Sequence, residues 1–143
     1  MEQSIREGFG LADRDVREIS SLSLAFLGDS VYELIVRTLL VEQSADRPKV
    51  LSQKKSRLVR AETQAAMADY LRTENLLTEE ELAVYRRGRN ANPATTARHA
   101  TVGDYHRATG FESLMGYLYL AGREERLVEL VRLGLEHAEE ENQ

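Results

Sequence analysis

Apolar side chains recur at intervals of three and four residues along most of this chain, and only two of its 143 residues are prolines. That spacing puts the apolar side chains on one face of an α-helix, whereas a strand would alternate apolar and polar residues. Pro48 suits the first turn of a helix, and Pro93 lies in a stretch of small and polar residues that would interrupt one. We therefore predict an all-α fold.

Length and composition favour one domain with its own core. Hydrophobic residues make up 42% of the chain and charged residues 30%, a balance that allows both a core and a polar surface. We predict a polar lead-in over residues 1–20, with a short helical turn near residues 13–18, and one domain over residues 21–143. The chain has no apolar run of the ~20 residues needed to cross a bilayer and no signal-peptide pattern, so we expect a cytoplasmic protein.

The available side chains exclude several kinds of active site. The chain has no cysteine and three scattered histidines. Disulfides, thiolate nucleophiles, zinc–thiolate sites and a histidine cage are therefore excluded. Carboxylate oxygens remain as metal ligands, and oxygen ligands favour magnesium or manganese.

Capping signals divide the first half of the chain into helices. A serine near Ser21 or Ser23 should cap a long helix. Pro48 should open a second, basic helix, either continuous or broken midway. The predicted buried stripe of the long helix consists of Leu24, Leu27, Val31, Leu34, Ile35 and Leu39.

The second half carries similar signals. Thr78, followed three residues later by Glu81, is a capping box for a helix from about residue 79 to 89. A loop is predicted over residues 90–100. Thr101 should cap one helix, or a pair of helices, that ends near residue 120. A charged amphipathic helix should close the fold from about residue 124 to 139.

Two carboxylates stand where apolar residues are expected. Asp29 follows Gly28 in the segment SLAFLGDSVYELIVR, and Glu112 lies one turn before Gly116 in TGFESLMGYLYL. A glycine inside a helix costs about 1 kcal/mol relative to alanine and usually reflects close approach of another backbone. If these two helices pack together, the carboxylates meet, and a divalent cation would remove their repulsion.

A structural explanation of the same residues stays open at this point. Asp29 would then pair with an arginine such as Arg60, and Glu112 would cap the end of a neighbouring helix. Ion pairs and caps are far commoner than metal sites. The residues alone therefore leave a metal centre and two structural charges as alternatives.

The net charge of −5 conceals two basic segments. Residues 47–60 contain six basic side chains and no acid, a local charge of +6, and residues 86–107 have a local charge of +4. The remainder of the chain is strongly acidic. An acidic protein can therefore present a basic face to an anionic partner.

Two motifs resemble those of a known family. The signature helix of the ribonuclease III endonuclease domain is similar to LAFLGDSVYEL, and its second acidic helix is similar to GFESLMGYLYL. The chain is more similar to the mini-ribonuclease III branch, which is short, lacks the double-stranded-RNA-binding domain and carries a stretch resembling RRGRNANPATTARHATVGDYH. Motif order and spacing agree over roughly residues 21–133. The resemblance implies that residues 21–143 form a ribonuclease III-like catalytic domain.

The resemblance also assigns roles to the two acids. Asp29 matches the family's catalytic aspartate and Glu112 the acid of its second motif, and both are implied to bind Mg²⁺, with Mn²⁺ as a substitute. Two further family acids are absent, since the chain has Ala25 and Thr109 in their places. Mg²⁺ keeps several waters and takes ligands from substrate phosphate, so two carboxylates can suffice for one metal or two. The Thr109 hydroxyl is a candidate to hold a metal-bound water, and Glu33 is expected to pair with an arginine or to pack.

The basic segments are the predicted RNA-binding surface. Duplex RNA is recognised mainly through phosphates and 2′-hydroxyls, so a nuclease without a separate RNA-binding domain needs cations on its catalytic domain. An ordinary solvated helix face is the alternative for each segment. The candidate RNA-binding residues are Arg86, Arg87, Arg89, Lys54 and Lys55.

The resemblance implies a metal-dependent endoribonuclease that hydrolyses double-stranded RNA as a homodimer, with the ends of 23S ribosomal RNA precursor as the substrate. The metal would activate the attacking water and stabilise the developing charge. Assistance by a ribosomal protein stays open. The alternative is a non-catalytic protein on the same fold that binds duplex RNA or the ribosome, which the losses at Ala25 and Thr109 favour and the retention of Asp29 and Glu112 opposes. A helical interaction protein would leave both basic segments unexplained.

Overall fold

The computed structural model describes residues 1–91 and 101–141, and in these residues every regular element is helical. The predicted all-α fold is confirmed. A 3₁₀ turn lies at Val16–Glu18, and no helix in the described ranges is long and apolar enough to cross a membrane. The α-helices are α1 (Glu2–Gly8), α2 (Ser21–Gln43), α3 (Pro48–Val59), α4 (Ala61–Thr73), α5 (Glu79–Asn90), α6 (Val102–Leu120) and α7 (Glu124–Glu141).

Helix α6 is the centre of the fold. It packs against α2, α4, α5 and α7, and its most extensive contact is with α2. The two helices touch backbone to backbone, because a Cβ at Gly28 would lie 1.7 Å from the Glu112 carbonyl oxygen. A Cβ at Gly116 would lie 2.1 Å from the Leu24 carbonyl oxygen. The close approach predicted from the two helix-interior glycines is therefore present.

The chain bends sharply between α3 and α4. Arg60 is extended (φ −69°, ψ 157°), so the basic segment is two helices rather than one. The bend exposes the last carbonyl groups of α3, which need donors. The Tyr32 hydroxyl donates to the Leu58 carbonyl (2.7 Å), and the Gln64 amide donates to the Val59 carbonyl (2.7 Å). Side chains of α2 and α4 thus hold this corner beside α6.

Most of the predicted helix starts are confirmed. Thr78 and Glu81 form the capping box of α5, and the Thr101 side chain caps α6. The region after Thr101 is one continuous helix to Leu120, not a pair. The cap of α2 is Ser20, whose hydroxyl accepts from the Ser23 amide, so the prediction of Ser21 or Ser23 was one residue or more too late.

Two predictions about the first half of the chain were wrong in part. The lead-in contains α1 as well as the turn near residue 16, and Arg6 ties α1 to α6 by donating to the Leu120 carbonyl (2.7 Å). In α2 the predicted stripe members Leu34 and Leu39 are exposed. The fully buried side chains of that stretch are Tyr32 and Val36. The buried face of α2 is rotated relative to the predicted stripe. The reason is that α6, which approaches α2 at Gly28, contacts the side of α2 that carries Tyr32 and Val36.

A buried ion pair anchors α5 to α7. Glu81 is 2% exposed, and both its carboxylate oxygens accept from Arg126, at 2.9 and 2.8 Å. Burial raises the pKa of the Glu81 carboxyl, but the hydrogen bonds from Arg126 and the Thr78 backbone outweigh it and leave the pKa below its ordinary value. Glu81 therefore caps its own helix and fixes that helix against its neighbour.

Candidate active site

The packing of α2 on α6 brings Asp29 and Glu112 together. Gly28 rests on the Glu112 backbone, so the next residue of α2, Asp29, lies beside the Glu112 side chain. The Asp29 carboxyl is close enough to raise the pKa of the Glu112 carboxyl. Asp29 is exposed to solvent and Glu112 is half-buried, so one side of the pair faces solvent and the other faces the protein interior.

The pair is electrostatically unfavourable when both acids are ionised. Burial, followed by the hydrogen bond and the charge of Asp29, raises the pKa of Glu112 to about 9, although the Gln64 amide opposes the shift. Two carboxylates in a partly dry site cannot both ionise freely without a neutralising charge. A divalent cation provides such a charge.

A third polar side chain reaches this site from α4. Gln64 is 2% exposed, and its amide is close enough to Glu112 to oppose the rise in the pKa of that carboxyl. Its Oε1 is buried and has no hydrogen-bond donor in the structure. Sequence analysis missed this residue, although a signal exists: Gln64 precedes Ala68 and Leu71 at helical spacing and is therefore a polar residue on the buried face of α4.

The structural explanation of the two acids has no support in the residues that the structure describes. Arg60 pairs with Glu62 (3.6 Å), not with Asp29. Among the described residues Asp29 has no ion pair at all. Glu112 lies in the interior of α6, and it caps none of the helix ends whose caps the structure describes. The two charges are left facing each other.

The donor set fits Mg²⁺ or Mn²⁺, with most of the ion's shell supplied from outside the protein. In residues 1–91 and 101–141 no three acids or histidines are gathered to form a complete cage. Ala25 is buried and offers no ligand, and the buried Thr109 hydroxyl donates to the Tyr105 carbonyl (3.0 Å). Two carboxylates are a usual protein contribution to a Mg²⁺ site, because this ion retains waters and binds substrate phosphates.

Comparison with known proteins identifies the family of this chain. A family model described as the ribonuclease III domain matches residues 22–123. The Mini-ribonuclease 3 of Enterococcus faecalis is 42% identical over 130 residues, which are 91% of this chain and 98% of that protein. The Mini-ribonuclease 3 of Brevibacillus brevis is 44% identical over 119 residues, 83% of this chain and 87% of that protein. The chain belongs to the mini-ribonuclease III branch of the ribonuclease III family.

A solved structure supports the same fold. A crystal structure of a protein from Fusobacterium nucleatum superposes with a TM-score of 0.77 and 29% sequence identity, and the match covers 88% of this chain and 99% of that one. As a member of the ribonuclease III family, the chain is an endoribonuclease, a hydrolase of RNA phosphodiester bonds.

Helix α5 carries Arg86 and Arg87 of this mini-ribonuclease III and packs on α6, the helix of Glu112. Gly88 of α5 packs on Ser113, the residue after Glu112, since a Cβ at Gly88 would lie 2.4 Å from the Ser113 hydroxyl oxygen. Arg86 and Arg87, just before Gly88, are exposed and have no ion pair within the described ranges. These two side chains are therefore available to an anion.

The other predicted cations are less free. The Arg89 guanidinium lies 5.6 Å from the Tyr85 ring centre. Lys54 pairs with Asp46 (2.5 Å) and Lys55 approaches Glu33 (4.0 Å). Neighbouring acids therefore reduce the charge that both lysines offer to RNA.

Two further predictions concern Glu33 and the loop over residues 90–100. Glu33 pairs with Arg37 (3.0 Å), as expected, and does not join the carboxylate pair. Residues 92–100, which include most of the predicted loop with Arg98 and His99, lie outside the described residues. The described part of the site is therefore formed by α2, α4, α5 and α6.

Glu112→Gln should stabilise the metal-free protein at alkaline pH. Because the pKa of Glu112 rises from 4.5 to about 9 on folding, its stabilising contribution is present below pH 4.5 and is lost as the pH rises towards 9. In chelator we expect the variant to melt about 5 °C above wild type at pH 8 and within ~1 °C of it at pH 5. Thermal unfolding followed by circular dichroism measures both; parallel pH profiles for the two proteins would contradict the repulsion.

Proposed function

We propose that this mini-ribonuclease III is a magnesium-dependent endoribonuclease that hydrolyses phosphodiester bonds in double-stranded RNA at Asp29 and Glu112, with Mn²⁺ able to replace Mg²⁺. The observation that carries the proposal is the contact between two carboxylates of different helices, one of them half-buried. A protein that only binds RNA gains nothing from two anionic groups in such a place. Cleavage of a long RNA duplex with and without chelator is the test.

In this proposal the acidic side chains bind a cation and the arginine side chains bind RNA. Asp29 and Glu112 supply the anionic oxygens, and α2 and α6 keep them together because their backbones are in contact. A divalent cation bound there would activate a water and stabilise charge on the phosphoryl oxygens. Arg86 and Arg87 would bind the RNA backbone beside the carboxylates, since guanidinium groups match phosphate geometry.

Replacing Arg86 and Arg87 with alanine should weaken duplex binding and flatten its salt dependence. With fewer phosphate contacts, binding releases fewer counterions from the RNA. The slope of log affinity against log salt concentration should therefore fall in magnitude by about 1–2. Fluorescence anisotropy at several salt concentrations, in Ca²⁺ to prevent cleavage, measures the slope. The control is Arg132→Ala on α7, where Arg132 pairs with Glu136 (3.2 Å); equal slopes for the double variant and wild type would remove the two arginines from the RNA surface.

The proposed biological substrate is a double-stranded stem at the ends of 23S ribosomal RNA precursor, which places the enzyme in ribosome biogenesis in the cytoplasm. The support for this substrate is the similarity to the mini-ribonuclease III branch. The residues of the site do not themselves specify an RNA sequence. Cleavage of the precursor stem and of an unrelated duplex of equal length should be compared, with and without ribosomal proteins. Equal rates on both RNAs under all conditions would argue against this substrate.

We also propose that the active form is a homodimer. Helix α2 carries an exposed apolar row beside Asp29, in which Phe26 is 84%, Leu34 50% and Leu22 42% exposed. An exposed apolar strip next to a catalytic site is typical of a protein interface. A second subunit on this face would cover the row and leave each carboxylate pair at the edge of the contact.

Sedimentation velocity tests the dimer. Wild type should sediment at twice the chain mass, and Phe26→Glu should shift the protein to a monomer, because a charge would be buried in the interface. Phe9→Glu is the matched control, since Phe9 is similarly exposed (79%) but lies at the end of α1. A monomeric wild type at micromolar concentration, with and without RNA, would refute the dimer.

A further inference from the structure

We propose that Gly88 is a positioning residue of the active site. Its contact with Ser113 fixes the arginine-bearing end of α5 on α6, and so fixes where a bound RNA strand lies relative to the carboxylate pair. The inference deepens the proposed function and rests on the RNA cleavage described there. It concerns a residue without a side chain, which belongs neither to the two acids nor to the candidate RNA-binding residues.

Gly88 allows α5 to approach α6 more closely than any other residue would. It is buried, and a Cβ at this position would lie 2.4 Å from the Ser113 hydroxyl oxygen, 2.7 Å from the Ser113 Cβ and 2.9 Å from the Gly110 Cα. Packed carbon atoms are ordinarily about 3.5–4.0 Å apart. The Ser113 Cβ and the Gly110 Cα are fixed to the backbone of α6 and cannot rotate away. An added side chain would therefore push α5 off α6.

The contact lies at the end of α5 that carries the cations. Gly88 is in the last turn of the helix, and helix ends ordinarily fray. The first turn is held by a separate contact, the buried ion pair of Glu81 with Arg126. The contact at Gly88 therefore orders the charged end of α5. Three arginines stand within two residues of Gly88: Arg86, Arg87 and Arg89.

The other partner in the contact belongs to the helix of Glu112. Ser113 directly follows Glu112 in α6 and is fully buried. Its hydroxyl donates to the Ser21 carbonyl (2.8 Å), so it also holds the first turn of α2, the helix of Asp29. A single residue of α6 thus contacts the helix that carries Asp29 and the helix that carries the arginines.

A fixed position of the arginines matters more for cleavage than for binding. Cations on α5 attract RNA phosphates through their charge, which a small displacement of the helix leaves intact. Attack on one phosphorus atom depends on exact placement, and a misplacement of about 1 Å can lower a rate about 100-fold. Displacing the end of α5 should therefore lower the cleavage rate but not RNA affinity. Removing the arginines should lower RNA affinity.

Single-turnover cleavage of a long RNA duplex by Gly88→Ala, in Mg²⁺ and at saturating protein, tests the inference. We expect the rate to fall about 10–100-fold. Duplex affinity in Ca²⁺ should stay within threefold of wild type with an unchanged salt slope, because every cation is retained. Mn²⁺ affinity, measured by electron paramagnetic resonance, should also be unchanged, because the contact between α2 and α6 is not altered. Circular dichroism verifies folding.

Ser113→Gly tests the contact without overpacking, and decides the question if Gly88→Ala does not fold. Ser113→Ala is its matched control, because both variants lose the hydrogen bond to Ser21 and only Ser113→Gly loses the Cβ beside Gly88. We expect Ser113→Gly to cleave RNA at least threefold more slowly than Ser113→Ala. Adding Gly88→Ala to Ser113→Gly moves the missing carbon from α6 to α5 and should restore the rate to within threefold of Ser113→Ala.

Gly134→Ala is the control for overpacking elsewhere in the fold. Gly134 lies in α7, and a Cβ there would lie 2.8 Å from the end of the Met67 side chain of α4. The substitution therefore crowds a contact that does not involve α5. We expect the cleavage rate of this variant to stay within threefold of wild type.

The outcomes separate the role of Gly88 from the proposed function. A folded Gly88→Ala that cleaves within threefold of wild type would overturn the inference, and so would a loss of RNA affinity as large as its loss of rate. An equal loss of rate in Gly134→Ala, or equal rates for Ser113→Gly and Ser113→Ala, would overturn it as well. These results leave the proposed function intact while wild type cuts duplex RNA. If wild type cuts none in Mg²⁺ or Mn²⁺, the proposed function and this inference both fail.

Discussion

Asp29→Asn and Glu112→Gln should each lower the rate of duplex RNA cleavage at least about 10³-fold in Mg²⁺. Each substitution removes a charge from a site that must hold a divalent cation, and such a cation contributes several kcal/mol of transition-state stabilisation. Every 1.4 kcal/mol corresponds to a tenfold change in rate. Single-turnover cleavage of a long RNA duplex, with circular dichroism to verify folding and gel shift to verify RNA binding, measures the effect.

The matched control is Glu33→Gln, one helical turn beyond Asp29. Glu33 pairs with Arg37 and Lys55 and does not contact Glu112. Since a solvent-accessible ion pair is worth at most about 1 kcal/mol, the cleavage rate should change less than about fivefold. If wild type binds duplex RNA but does not cut it in Mg²⁺ or Mn²⁺, the protein is a binder on a nuclease fold, and the absence of acids at Ala25 and Thr109 is the explanation.

Gly28→Ala should destabilise the fold by about 3 kcal/mol or more, at the upper end of the cost of overpacking. The added Cβ would lie 1.7 Å from the Glu112 carbonyl oxygen, which is backbone and cannot rotate away. Helices α2 and α6 must then separate, so the carboxylate pair should also be displaced. We expect the melting temperature to fall by about 10 °C. Gly116→Ala should have a similar effect, because its added Cβ would lie 2.1 Å from the Leu24 carbonyl oxygen.

Gly8→Ala provides the comparison. Gly8 lies in the last turn of α1, and a Cβ there meets no atom within 4 Å. The same chemical change should alter stability by less than about 0.5 kcal/mol. Urea unfolding midpoints of the three variants measure the differences. Equal midpoints for Gly8→Ala and Gly28→Ala would mean that the helices move apart at little cost.

Local sequence signals predicted helix starts well where only one candidate was present. No serine, threonine, aspartate or asparagine stands within two residues of Thr78 or Thr101, and both predicted caps are confirmed. Three serines compete near the start of α2, and the propensity for capping cannot choose among them. Helix α1 was missed because a seven-residue polar helix has little intrinsic stability. Its contact with α6 through Arg6 supplies the missing support.

The sequence by itself determined the parts of the site that lie on a single helix. Asp29 beside Gly28 and Glu112 one turn before Gly116 are local patterns, and the cost of an acid and a glycine in an apolar helix is enough to mark them. Tertiary structure decided that α6 meets the Tyr32 and Val36 side of α2, and that Gln64 of α4 lies near Glu112. The physical reason is that periodicity shows that a helix has an apolar face but not which neighbour that face will contact.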